Sequence, residues 1–244
     1  MRITILVLFS LLVARDSKAP YNRTRDRVVD IHHIRIDVAV DIASESIYGN
    51  VVHTLSPLSS SLKTFSLDAE DMTIRRVRSN DKDIDFVHSG DKVHITLDRS
   101  IGWDDTVKLK IDYTAFPKLG AFFLKPDETY PDNPWQVWTQ GEEDDNHHWV
   151  PIYDYPNDRS TFETILTVDQ KYKAVSNGEL VSIKTHENGT HTWHWRENYP
   201  MVSYLISFVV GDYVKVEDSY NGIPVNYWVY KENKNETMRS FGLT

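Results

Sequence analysis

The stretch IRIDVAVD (Ile34–Asp41) decides the fold. Ile34, Ile36, Val38 and Val40 alternate with Arg35, Asp37, Ala39 and Asp41. Successive side chains of an extended chain point to opposite faces, so this period of two is a strand with one face in a core. Val93, Ile95 and Leu97 repeat it, as do Val107, Leu109, Ile111 and Tyr113, and again Tyr204, Ile206, Phe208 and Val210. Turn residues separate the runs: Gly49-Asn50, Ser89-Gly90-Asp91, Asn177-Gly178, Asn188-Gly189 and Asn221-Gly222. Asn-Gly favours a two-residue hairpin because both residues tolerate positive φ, which predicts hairpins at Asn188-Gly189 and Asn221-Gly222. No long amphipathic helix is visible before Tyr230. The expected fold is all-β, an antiparallel sandwich over residues 20–230. The charged tail 231–244 reads as a linker opening into a helix.

With 244 residues, 40% of them hydrophobic, the chain can build a core of domain size. It contains no cysteine, so that core must hold unaided by disulfides. A net charge of −9 without a Lys/Arg cluster argues against nucleic acid as a partner, since phosphate binding needs concentrated positive charge. At the start, Arg2 precedes the apolar run Ile3–Ala14, the layout of a signal peptide and too short for a mature membrane span. Residues 1–19 are read as that signal peptide. Cleavage after Ala14 is favoured, because cleavage after Ala19 would leave Pro20 first. The protein is therefore expected to be exported, with no membrane span in the mature chain. Asn-x-Ser/Thr sequons stand at Asn22, Asn188 and Asn235.

One metal-like pattern fails on geometry. His186-Glu187-Asn188-Gly189-Thr190-His191 resembles a zinc-protease signature, but that chemistry needs histidines at i and i+4 on a helix. Here the spacing is five, and Asn-Gly makes a hairpin. A two-residue loop would set His186 opposite His191 and Glu187 opposite Thr190, with the glutamate on the other sheet face. His32 and His33 are adjacent in a strand and point opposite ways, and His191 and His194, three residues apart, also fall on opposite faces if that segment is extended. No four-ligand set is visible, and no residue is assigned to metal or to catalysis.

A different texture begins at WTQGEEDDNHHWVPIYDYP (Trp138–Pro156), where Glu142, Glu143, Asp144 and Asp145 run into Asn146, His147 and His148. This TQ-x-E segment is followed by an acidic step and a Pro…Tyr-Asp-x-Pro…Phe run. AVSNGELVS (Ala174–Ser182), TWHWRENYPMVSYLISFVVGDY (Thr192–Tyr213) and GIPVNYWV (Gly222–Val229) come after it in order. Together these blocks resemble the N-terminal domain of the M1 family of zinc aminopeptidases, from about Asp30 to the C-terminus. The resemblance implies a saddle-shaped β-sandwich packed against a thermolysin-like catalytic domain. It also implies that Gln140 and Glu142 line the active-site cleft, Glu142 binding the α-ammonium of a peptide substrate and Gln140 the pocket for its first side chain. A carboxylate in a closed cleft suits that task, since it recognises one cationic amine.

Two departures stand out: His147 where the family often has arginine, and Ile152 where it commonly has cysteine. The family's HExxH zinc site and its GxMEN loop do not occur in these 244 residues. Zinc is therefore implied for a full-length enzyme and not for this chain, and the missing catalytic domain is expected as a partner in cis. The alternative is a stand-alone exported sandwich that binds peptide termini or glycans without catalysis. Tryptophans 135, 138, 149, 193 and 195 would serve as its stacking surfaces.

Overall fold

A computed structural model describes residues 24–242. The signal-peptide assignment and the sequon at Asn22 lie outside the described residues. In chain order the strands are β1 Val29–Asp41, β2 Ser46–Pro57, β3 Leu62–Asp68, β4 Met72–Ser79, β5 Lys82–Asp83, β6 Asp85–Ser89, β7 Lys92–Ile101, β8 Val107–Ala115 and β9 Ala121–Leu124. They continue as β10 Gln136–Thr139, β11 Ser160–Asp169, β12 Lys173–Ser176, β13 Glu179–Thr185, β14 Thr190–Met201, β15 Phe208–Gly211, β16 Tyr213–Tyr220 and β17 Ile223–Tyr230. One short helix, α1 (Thr237–Phe241), follows a 3-10 turn over Lys231–Glu236, so the tail does turn helical. No helix among the described residues is long and apolar enough to cross a membrane.

The largest sheet has the order β13-β14-β11-β1-β2-β8-β4-β5. Beside it are a four-stranded sheet, β12-β15-β10-β9, a three-stranded sheet, β3-β7-β6, and the hairpin β16-β17. The alternation pays off at β1, where Ile34, Ile36, Val38 and Val40 are all buried. Val93, Ile95 and Leu97 of β7, Val107, Leu109, Ile111 and Tyr113 of β8, and Val137 and Val210 of the four-stranded sheet join the same core. Each fully buried aliphatic side chain contributes about 1.5–3 kcal/mol relative to exposure. Trp149, Trp193 and Trp195 are buried in that core as well.

The fold is all-β as expected, with four corrections of detail. First, β1 and β11 pair in parallel (Ile34 with Phe162, Ile36 with Thr164), so the sheet is mixed. This is allowed because β1 and β11 lie far apart in sequence and are joined by a long excursion, not a hairpin. Second, Gly49-Asn50 is no turn. Gly49 sits inside β2 opposite Val38, and a Cβ there would lie 2.2 Å from the Asp37 carbonyl oxygen. The glycine serves close backbone approach.

Third, the Asn188-Gly189 hairpin pairs Thr185 with His191, and the amide of His186 donates to the carbonyl of Thr190. The loop is therefore three residues long, and His186 lies opposite Thr190 instead of His191. The Asn221-Gly222 hairpin does have a two-residue loop, with Tyr220 opposite Ile223 and both loop residues at positive φ. Fourth, only Phe208–Gly211 of the late alternating run is a strand; Tyr204 lies in a 3-10 turn over Ser203–Leu205.

Candidate functional site

The segment Gln140–His148 is a rigidly seated loop with an acidic tip. Strand β10 ends at Thr139, and the main-chain amide of Gln140 donates to Gly120 at 2.9 Å. Gly141 is buried: a Cβ on it would meet the Asn146 side chain and the Tyr204 carbonyl, each at 2.6 Å. The peptide bond Glu142–Glu143 is cis. Glu142–Asp145 form a turn, closed by the amide of Asp145 on the carbonyl of Gly141 at 3.0 Å. Gln140, Glu142, Glu143 and Asp144 are all exposed. No side-chain hydrogen bond or ion pair engages Gln140 or Glu142 among the described residues. Because the extended segment stops at Thr139, the two reach solvent from a loop, not from one face of a strand.

Asn146 is the anchor, fully buried at the start of a 3-10 turn over Asn146–His148. Its Nδ2 donates to the carbonyls of Ser203 at 2.7 Å and Ile206 at 3.1 Å, and its Oδ1 accepts from the Trp149 indole at 2.7 Å. Trp149 in turn meets Phe208 edge to face at 5.1 Å. Each polar end of a buried amide is thus matched, which a buried amide requires. Asn146 carried no local signal of this role, because its partners lie on a turn 57 and 60 residues away.

The two histidines are held by carboxylates. The amide and Nδ1 of His147 lie 3.0 and 3.2 Å from Asp154 Oδ2. Burial opposes charge on this ring, but the Asp154 carboxylate outweighs it and holds the imidazole up at about 9. His147, which stands where the family often has arginine, thus forms an ion pair with Asp154. Asp154 also accepts from Ser203 Oγ at 2.8 Å, which ties this pair to the Asn146 anchor. His148 Nδ1 lies 2.9 Å from Asp71 Oδ2. Burial pushes the Asp71 carboxyl up, while bonds from Lys118 and His148 prevail and lower it.

Behind them the buried Asp68 accepts from Arg25 at 2.5 Å, Lys92 at 2.9 Å and the amide of Asp154 at 2.9 Å. Ile152, the position where the family commonly has cysteine, is fully buried and bridges its backbone to Asp68. One set of donors converges that the sequence concealed. Single ligand atoms of Glu70, His147 and His148 lie within 4.8 Å of one another. The His186–His191 motif, by contrast, is a hairpin with half-buried histidines in which His186 Nε2 bonds Thr192 Oγ1 at 2.8 Å.

Comparison with known proteins bears on this loop. Residues 28–205 match the peptidase M1 N-terminal domain. The chain belongs to that family. It is 27% identical over 226 residues to leukotriene A-4 hydrolase of Xenopus laevis, covering 88% of this chain and 36% of the relative. It is 24% identical to leucine aminopeptidase 2 of Vanderwaltozyma polyspora, over 77% of this chain and 29% of the relative. Transcription initiation factor TFIID subunit 2 of Danio rerio is also 24% identical, over 84% of this chain and 20% of that protein.

Among solved structures, an M1 zinc metallopeptidase mutant from Deinococcus radiodurans bound to a Tyr-Ser-Ala substrate superposes with a TM-score of 0.70 at 21% identity. That match covers 82% of this chain and 47% of the other, and it speaks to fold alone. This M1 chain spans about a third or less of the length of the curated relatives it matches.

Proposed function

We propose that this M1 N-terminal domain is the substrate-recognition part of an exported zinc aminopeptidase, with Glu142 receiving the substrate α-ammonium and Gln140 flanking its first side chain. The observation that carries the reading is the contrast within one loop. Asn146, Gly141 and the His147–Asp154 pair fix its base, while the Glu142 carboxylate at its tip has no side-chain partner among the described residues. The backbone beneath this unpaired carboxylate is held in place, so an incoming ammonium has only the Glu142 side chain to order. No HExxH zinc-protease helix is encoded in this chain: its His-Glu…His pattern at His186–His191 is a hairpin whose histidines do not face each other. No catalytic step is therefore assigned to it, and the reading requires a catalytic domain acting in cis.

The alternative of a glycan-binding module loses most of its stacking surface, since three of the five tryptophans it would use are core residues. Trp138, which stacks on Phe122 at 5.7 Å, and Trp135 remain exposed. The test is made on an enzyme carrying this domain together with its catalytic domain. Glu142→Gln keeps the shape and removes the charge, and a charge-assisted hydrogen bond is worth about 1.5–3 kcal/mol. The specificity constant should then fall about tenfold to a hundredfold for free-amine substrates, with preference over N-acetylated substrates lost. Exposed Glu143 and Asp144 should matter far less. An unchanged preference in Glu142→Gln overturns the recognition role.

A further inference from the structure

We infer that Glu70, His147 and His148 form a binding site for a divalent transition cation of the zinc–nickel–copper class. Three observations carry this. The set is compact, with one ligand atom from each residue within 4.8 Å of the others and His147 Nε2 already 3.7 Å from Glu70 Oε2. The rings of His147 and His148 lie side by side, 4.5 Å between centroids and tilted by 32°. Each ring is also oriented from behind by a carboxylate on Nδ1: Asp154 for His147 and Asp71 for His148. That arrangement places the Nδ1 proton against a carboxylate, the usual outer support of a ligating histidine, and makes Nε2 the nitrogen for a metal, which on the charged His147 ring must first displace the Nε2 proton.

The backbone makes the set rigid. The amide of Glu70 donates to the His147 carbonyl at 3.0 Å, so the ligand from the β3–β4 turn and the ligand from the 3-10 turn cannot drift apart. Asp71, next to Glu70 in that turn, is the residue that orients His148. One turn thus supplies both a ligand and an outer support. Two imidazoles with one carboxylate suit zinc, nickel or copper; a hard cation such as calcium or magnesium prefers an all-oxygen shell. Glu70 and the two rings leave further coordination positions to water, which makes the site weaker than a closed four-residue cage. A bound cation would fasten the β3–β4 turn to the base of the acidic loop, since His147 Nδ1 also contacts the Asp144 carbonyl at 2.5 Å. The inference stands whether or not that loop binds a substrate amine.

The test is zinc and nickel binding to the full untagged chain after chelator treatment, followed by calorimetry and thermal melting. The expected result is one zinc per chain, a rise in Tm, and no effect of calcium or magnesium. Glu70 is exposed, so Glu70→Gln should fold normally while weakening zinc about tenfold or more. His147→Gln provides a second loss of ligand, and His186→Gln, on the distant hairpin, should leave binding unchanged. X-ray absorption of the bound zinc should report two imidazole ligands. Zinc binding equal in the chain and in Glu70→Gln, or weakened by His186→Gln instead, would overturn the site.

Discussion

Asn146 Nδ2 donates to the main-chain carbonyl of Ser203 at 2.7 Å and so stitches the acidic loop to a turn 57 residues further on. Replacing Asn146 with Ala leaves the Ile206 carbonyl and the Trp149 indole N–H unmatched, while the Ser203 carbonyl keeps the amide of Ile206 at 3.0 Å. With an unsatisfied buried group costing about 1–3 kcal/mol, the expected loss is roughly 3 kcal/mol, read as a lower urea midpoint at unchanged slope. A loss under about 0.5 kcal/mol, the scale of an ordinary surface change, would mean that the anchor is not needed.

Two glycines at positive φ separate conformational strain from steric clash. Gly90 (φ +60) has nothing within 4 Å of an added Cβ, whereas at Gly120 (φ +71) that atom would lie 1.9 Å from the Asp145 carbonyl oxygen. Gly90→Ala should cost about 1 kcal/mol from backbone strain alone. Gly120→Ala must also displace the acidic loop and should cost more than about 3 kcal/mol. Equal losses in chemical denaturation would show that the Asp145 contact yields freely.

His53 gives the domain an acid sensitivity of its own. The ring is fully buried, with Nε2 on the Pro151 carbonyl at 2.9 Å and Nδ1 without a hydrogen-bond partner among the described residues. Burial disfavours its charged form and holds it down at about 4, against about 6.5 for an exposed histidine. A folded value below the unfolded one means that the contribution is complete above pH 6.5 and is lost as pH falls towards 4, by about 3 kcal/mol. His53→Gln should be less stable at pH 7 yet fall less across that window; parallel curves would remove His53 as the cause.

How far the sequence discloses this molecule depends on how far apart the partners lie. Strands such as β1 and β8 are legible because burial follows parity along one segment, and parity needs no knowledge of the partner strand. Gly49 misleads because a glycine beside Asn reads as a turn, while its real reason, the Asp37 carbonyl, lies across the sheet. The hairpin at Asn188-Gly189 is legible as a turn, but its register depends on one backbone bond between His186 and Thr190. Gln140 and Glu142 are identified through resemblance alone, for nothing local separates Glu142 from Glu143. Glu70 and Asn146 stay hidden, since what gives each its role is supplied from more than fifty residues away.

The last prediction concerns Glu163, where four strand positions converge on one carboxylate. Glu163 lies on β11 between β1 and β14, paired across to Arg35 on one side and Arg196 on the other. Arg35 and Arg196 each reach it at 3.1 Å, His194 at 2.5 Å and His33 at 3.5 Å. Burial alone would raise this carboxyl, but the bonds from His194, Arg196 and Arg35 hold it down at about 2. Its folded value is below the unfolded one, so its contribution is complete above about pH 4.5 and is lost only as pH falls towards 2. That window lies below the one set by His53. Glu163→Gln removes the shared counter-charge; because Arg35 and Arg196 stay partly solvated, the expected loss at pH 7 is about 1–3 kcal/mol, less than for a wholly buried pair. The gap between the two proteins should hold from pH 7 to pH 5 and close as pH approaches 2. A gap that instead closes between pH 6.5 and 5 would mean that the histidines, not Glu163, set the charge balance of this cluster.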